Sequence, residues 1–115
     1  MFEKELAIIE LLLESVEKIE NYTKDFNNSV EFEKDTKSFD ACLMNFIAIG
    51  ESVGKLSEEF KENNNNINWR KIYAFRNVLA HDYFGILPAE VWEIIRKFLP
   101  KLKIDLIKIS TNKNP

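Results

Sequence analysis

Residues 3–23, EKELAIIELLLESVEKIENYT, decide the fold class. Leu6, Ile9, Leu13, Val16 and Ile19 recur at three- and four-residue intervals with Glu and Lys between them. That is the period of a helix burying one stripe. Asn27, Asn28 and Ser29 interrupt it, and a short helical piece is expected from Val30 to Lys37. A long helix is expected from Ser38 to Lys61, carrying Phe39, Leu43, Phe46, Gly50, Val53 and Phe60 on one side.

Gly50 and Gly54 share a face of that helix and leave a flat strip. Glycine costs a helix interior about 1 kcal/mol against alanine, so the pair implies close approach of another helix. Contact within the monomer is the first reading and a dimer contact the second. Asn63–Asn66 reads as a loop that only connects. Asn68 is placed to cap a helix from Trp69 to His81. Asp82 to Leu87 forms a turn, and Pro88 opens a last helix that Pro100 should kink or interrupt near Arg96.

No alternating strand pattern competes, so the chain reads as all-α. The expected architecture is an antiparallel, up-and-down bundle of four to five helices. One domain over residues 1–110 and a frayed tail at 111–115 complete it.

The composition fits a soluble globular domain: 115 residues, 45% apolar and 30% charged. Cys42 is the sole cysteine, which excludes an internal disulfide and a cysteine-built zinc site and suits a reducing cytoplasm. No secretion signal is visible and the apolar runs are short, so a cytoplasmic protein without a membrane segment is expected. Charge is uneven. Residues 1–62 hold fifteen acids and seven bases, whereas residues 63–115 hold four acids and nine bases. The basic second half either attracts a phosphate-bearing ligand or simply coats the last helix.

RNVLAHDY, residues 76–83, lies in that half and holds the only histidine. At about 100° per residue, Arg76 falls roughly 40° from Ile72, inside an apolar arc that runs from Val78, Phe75 and Leu79 to Trp69, Ala80 and Tyr73. A guanidinium there needs an anion. Two partners stand open: a carboxylate of the acidic half, such as Glu51, or a phosphate held bidentately.

On a straight helix His81 lies roughly 140° from Arg76. Both could reach one target only if the helix loosens before the turn, if the long arginine arm sweeps across, or if the target lies between two copies. His81 is otherwise a capping or packing residue, and Tyr83 a packed aromatic.

Chemistry narrows the options. Metal-free RNA cleavage needs an acid and base near neutral pH and a cation for the charged phosphorus centre, the roles of histidine and arginine. One imidazole supplies acid or base but hardly both, so a nuclease on this site should be a dimer with a composite cleft. No metal cluster, glycine-rich phosphate loop or nucleophile elbow is present in the sequence, and no cofactor is implied. Trp69 and Trp92 read as core.

The chain resembles the HepT-like branch of the HEPN superfamily, small helical proteins encoded beside minimal nucleotidyltransferases. Its motif is arginine, four to six residues, histidine, one residue and tyrosine, here Arg76, His81 and Tyr83. FIAIGESVGKLSEEF, INWRKIYAFRNVLAHDYFGI and VWEIIRKFLPKLK carry the likeness along nearly the whole chain.

The resemblance implies a homodimeric ribonuclease toxin of a type VII toxin–antitoxin system, acting on RNA. Arg76 and His81 take the catalytic positions, and Asn77, polar and next to Arg76, is placed to support them by orienting either side chain or by contacting RNA. Tyr83 takes the position adenylylated by the cognate nucleotidyltransferase antitoxin. Two rivals stand beside this reading. One is a non-catalytic module that docks a nucleotidyltransferase through its acidic half and presents nucleotide or substrate. The other is a structural dimer whose Arg76 is neutralised internally.

Overall fold

A computed structural model describes residues 3–111. Four rods build the molecule: α1 (Glu3–Thr23), α3 (Thr36–Gly54), α5 (Trp69–His81) and a last rod made of α6 (Pro88–Glu93), a π-helical stretch (Ile94–Phe98) and α7 (Leu99–Thr111). Short helices α2 (Ser29–Lys34) and α4 (Glu58–Asn63) join the rods. α3 packs between α1 and α5, and α7 closes on α1. The all-α bundle expected from the helical period is the architecture found. Among the described residues there is no strand, and no helix is long and apolar enough to cross a membrane.

The core follows the apolar stripes. Ile9, Leu13, Val16 and Ile19 of α1 are buried, as are Leu43, Phe46 and Val53 of α3 and Leu99, Leu102 and Leu106 of α7. Phe32 is wholly buried and draws in α2, with the rings of Phe39 and Trp92 centred 5.2 and 5.5 Å away. Burying such a side chain contributes roughly 2–3 kcal/mol, enough to hold a two-turn helix that could not stand alone.

Three boundaries differ from the sequence expectation, each through a side-chain cap. Asn28 accepts from the Glu31 amide, and Asp35 both ends α2 and accepts from the Ser38 amide, so α2 stops at Lys34. The helix expected to run from Ser38 to Lys61 is broken after Gly54. Ser57 there accepts from the Phe60 amide and starts α4, while Leu56 drops into the core.

The asparagine run does more than connect. Asn63 ends α4, the Asn64 amide donates to the Phe60 carbonyl, and the Asn64 carbonyl accepts the indole N–H of Trp69 at 3.1 Å. At the other end α7 keeps Ser110 and Thr111 helical, with Thr111 Oγ1 donating to the Ile107 carbonyl. The rest of the expected frayed tail, 112–115, lies outside the described residues.

Pro100 acts where expected. Having no amide hydrogen, it leaves the Arg96 carbonyl without its usual donor, and the helix widens so that the Leu99 amide bonds the Ile94 carbonyl, five residues back.

Candidate active site

Asn68 caps α5 by accepting from the Lys71 amide, as its position just before the helix suggested. Trp69, Ile72 and Leu79 are the buried stripe of α5. The apolar arc read from the sequence is wider than this stripe: Tyr73, Val78 and Ala80 are exposed. Arg76 therefore stands at the margin of the buried stripe.

The glycine strip explains how it fits. A Cβ on Gly50 would fall 2.1 Å from Arg76 Cβ and 2.6 Å from its Cγ, and one on Gly54 would fall 2.9 Å from the Tyr73 ring. α3 thus gives up two side chains so that the stems of Arg76 and Tyr73 can cross its backbone. The close contact is within the monomer, the first of the two readings of the pair.

Arg76 makes one cross-helix pair and one local bond. Nη2 meets Glu51 Oε2 at 3.0 Å and Nη1 donates to Asn77 Oδ1 at 2.9 Å. Nε is buried without a partner, which costs about 1–3 kcal/mol. The Arg76 side chain is 25% exposed and that of Glu51 55%. In such a position an ion pair contributes little and its carboxylate can be replaced by another anion. The internal partner weighed at the sequence level, Glu51, is thus present, and it sits at an open surface.

His81 is the last residue of α5 and is exposed. Among the described residues its side chain makes no hydrogen bond or ion pair, and none joins it to Arg76. α5 stops immediately after it: Asp82 leaves helical geometry, and a single 3-10 turn, Tyr83–Gly85, follows. The Tyr83 hydroxyl donates to Asp40 Oδ1 on α3 at 2.9 Å. That bond, then partial burial and the carboxylate's charge, push the phenol above its ordinary 10.0. Phe84 beside it is 99% exposed.

Ribonuclease HepT-like is the family whose model matches residues 12–109. The chain belongs to the HepT-like ribonuclease family. It is 39% identical over 100 residues to a protein of Methanocaldococcus jannaschii named "Gamma-glutamylcyclotransferase and putative RNase", covering 85% of this chain and 44% of that one. The chain thus spans less than half the length of that relative. A second M. jannaschii protein, named "Putative RNase", is 32% identical, covering 80% of this chain and 84% of its own. "Probable ribonuclease HepT" of Thermococcus cleftensis is 30% identical, covering 83% of this chain and 86% of its own. No solved structure matches the chain significantly.

Around Arg76 and Tyr83 the sequence left two residues unassigned. Gly50 had a signal, its four-residue spacing from Gly54, but nothing said that Arg76 was what crossed it. Asp40 had none, because its bond to Tyr83 spans 43 residues.

Proposed function

We propose that the protein is an endoribonuclease that cleaves RNA without a metal ion, with His81 as the acid–base group and Arg76 as the phosphate-stabilising cation. The observation that carries this reading is the presence on one helix of an exposed, unbonded imidazole and a guanidinium whose carboxylate partner is itself solvent-exposed. Both lie within one and a half turns of α5, in a chain of a ribonuclease family.

In the reaction the ribose 2′-oxygen attacks phosphorus and loses its proton to a base. Charge builds on the non-bridging oxygens, where Arg76 offers Nη1 and Nη2 in exchange for Glu51 and Asn77. The 5′-oxygen leaves as it takes a proton from an acid. A homodimer supplies two imidazoles for the two transfers. Apolar surface beside the site supports a second copy there: Phe84 and Leu87 are exposed in and after the turn, and Met44 stands one turn along α3 from Asp40.

Tyr83 is the acceptor of adenylylation by a partner nucleotidyltransferase, and the pair forms a toxin–antitoxin system. The added phosphate and nucleoside, two residues from His81, repel and crowd an RNA strand. Asn77, bonded to Arg76 Nη1, holds the guanidinium plane until the phosphate takes its place.

The test is cleavage of RNA by the purified chain in EDTA. His81→Ala and Arg76→Ala should each lower the rate by about 100-fold or more while circular dichroism stays helical. Cleavage that survives His81→Ala, or that needs a divalent ion, rejects the mechanism. A folded chain that binds a nucleotidyltransferase and cleaves nothing leaves the docking-module reading in its place.

A further inference from the structure

We infer that Asp40 is a positioning residue: its hydrogen bond to Tyr83 is a latch that fixes the end of α5 and with it the place of His81. The inference deepens the ribonuclease reading above and, for its regulatory consequence, rests on the modification of Tyr83.

The segment after α5 is weakly held. Residues 82–87 fold on themselves, with the Gly85 amide bonding the Asp82 carbonyl at 3.1 Å and the Ile86 amide the Tyr83 carbonyl at 3.4 Å. Phe84 and Leu87 face solvent, and Ile86 is only partly buried against the core. Among the described residues, Tyr83 Oη to Asp40 Oδ1 is the one side-chain hydrogen bond from this segment to another element. His81 lies two residues before Tyr83, at the last position of α5, where a helix end frays unless something restrains it. The rigid α3, packed against both α1 and α5, supplies that restraint through Asp40.

The latch has one proton, and modification consumes it. Transfer of an adenylyl group from a nucleoside triphosphate forms a bond from Oη to the α-phosphorus and expels pyrophosphate. The phenolic proton goes to solvent or base. Oη can then no longer donate, and a phosphodiester anion stands where the Asp40 carboxylate is. The two must separate, and the turn leaves α3. Silencing on this account acts by displacing His81 as well as by blocking RNA.

The single histidine gives one imidazole Hε1 resonance, so its position can be followed by NMR in unmodified protein. Tyr83→Phe and Asp40→Ala should each shift or broaden that resonance and lower RNA cleavage about fivefold. The double variant should be no worse than either single one, because both remove the same bond. Asp40→Asn, whose amide oxygen still accepts from the phenol, should stay near wild type in both readouts. An imidazole resonance unmoved by Asp40→Ala, or losses that multiply in the double variant, overturns the latch. A wild-type chain that cleaves no RNA defeats the ribonuclease reading instead, and the resonance alone then decides the latch.

Discussion

Arg96 lays its guanidinium 4.2 Å from the Trp92 ring and gives Nη2 to the main-chain carbonyls of Phe26 and Thr23, at 2.6 and 3.5 Å. Arg76 lies farther from its ring, 5.9 Å from that of Tyr73, gives its two terminal nitrogens to side chains, Glu51 and Asn77, and leaves Nε without a hydrogen-bond partner. The acceptors of Arg96 are carbonyls at and just beyond the end of α1, which need a donor and cannot leave. Those of Arg76 are carried on rotatable side chains at an open surface. A guanidinium with fixed acceptors closes a fold; one with exchangeable acceptors can be borrowed by a ligand.

Removing the two arginines in turn separates these two kinds of guanidinium most visibly. Arg96→Ala should lower unfolding stability by about 2 kcal/mol, the loss of charge-assisted bonds plus a cation–π contact, while RNA cleavage per folded molecule is unchanged. Arg76→Ala should change stability by less than about 1 kcal/mol, because its exposed ion pair contributes little and its orphaned Nε already costs something. Urea titrations of the two variants check this. Equal losses would mean that Arg76 is a tie between helices, as Arg96 is.

Gly50→Ala comes next in size. The new methyl meets the Arg76 stem close to its backbone, so α3 and α5 must part slightly, costing about 1–2 kcal/mol after the gain in helix propensity. Cleavage should fall with it because the guanidinium is shifted. Gly54→Ala should cost less, since its obstacle is the edge of a half-exposed Tyr73 ring that can turn aside. Thermal melts and RNA cleavage of the two variants rank them.

How much of this was readable beforehand depended on whether the cause was local. The helix of residues 3–23, the Asn68 cap, Pro88 at a helix start and the interruption ahead of Pro100 all arise within a few residues, and the sequence shows each of them. The break at Ser57 was local too. It was hidden because Phe60 continues the apolar spacing of α3, so periodicity outweighed the cap signal. Arg76 was legible as an oddity, a cation in an apolar arc, and Glu51 as one possible answer to it. What no pattern carries is a contact between distant segments, such as Asp40 with Tyr83, or Arg96 with the carbonyls at and just beyond the end of α1. Those depend on how the rods are set against each other, which is fixed by packing over the whole core.

The smallest effect is the sharpest probe of exchangeability. If phosphate displaces Glu51 from Arg76, the carboxylate is a competitor, and its charge works against RNA at close range. Glu51→Gln keeps an oxygen that can accept from Nη2 and removes the charge, so the guanidinium stays in place while its competitor weakens. RNA affinity of a cleavage-dead His81→Ala background should then rise about threefold, and the gain should shrink as salt screens the charge. Fluorescence anisotropy at two salt concentrations measures both. Weaker binding in the glutamine variant would mean that Glu51 orients Arg76 instead of competing for it, which would place the pair with the fixed kind that Arg96 represents.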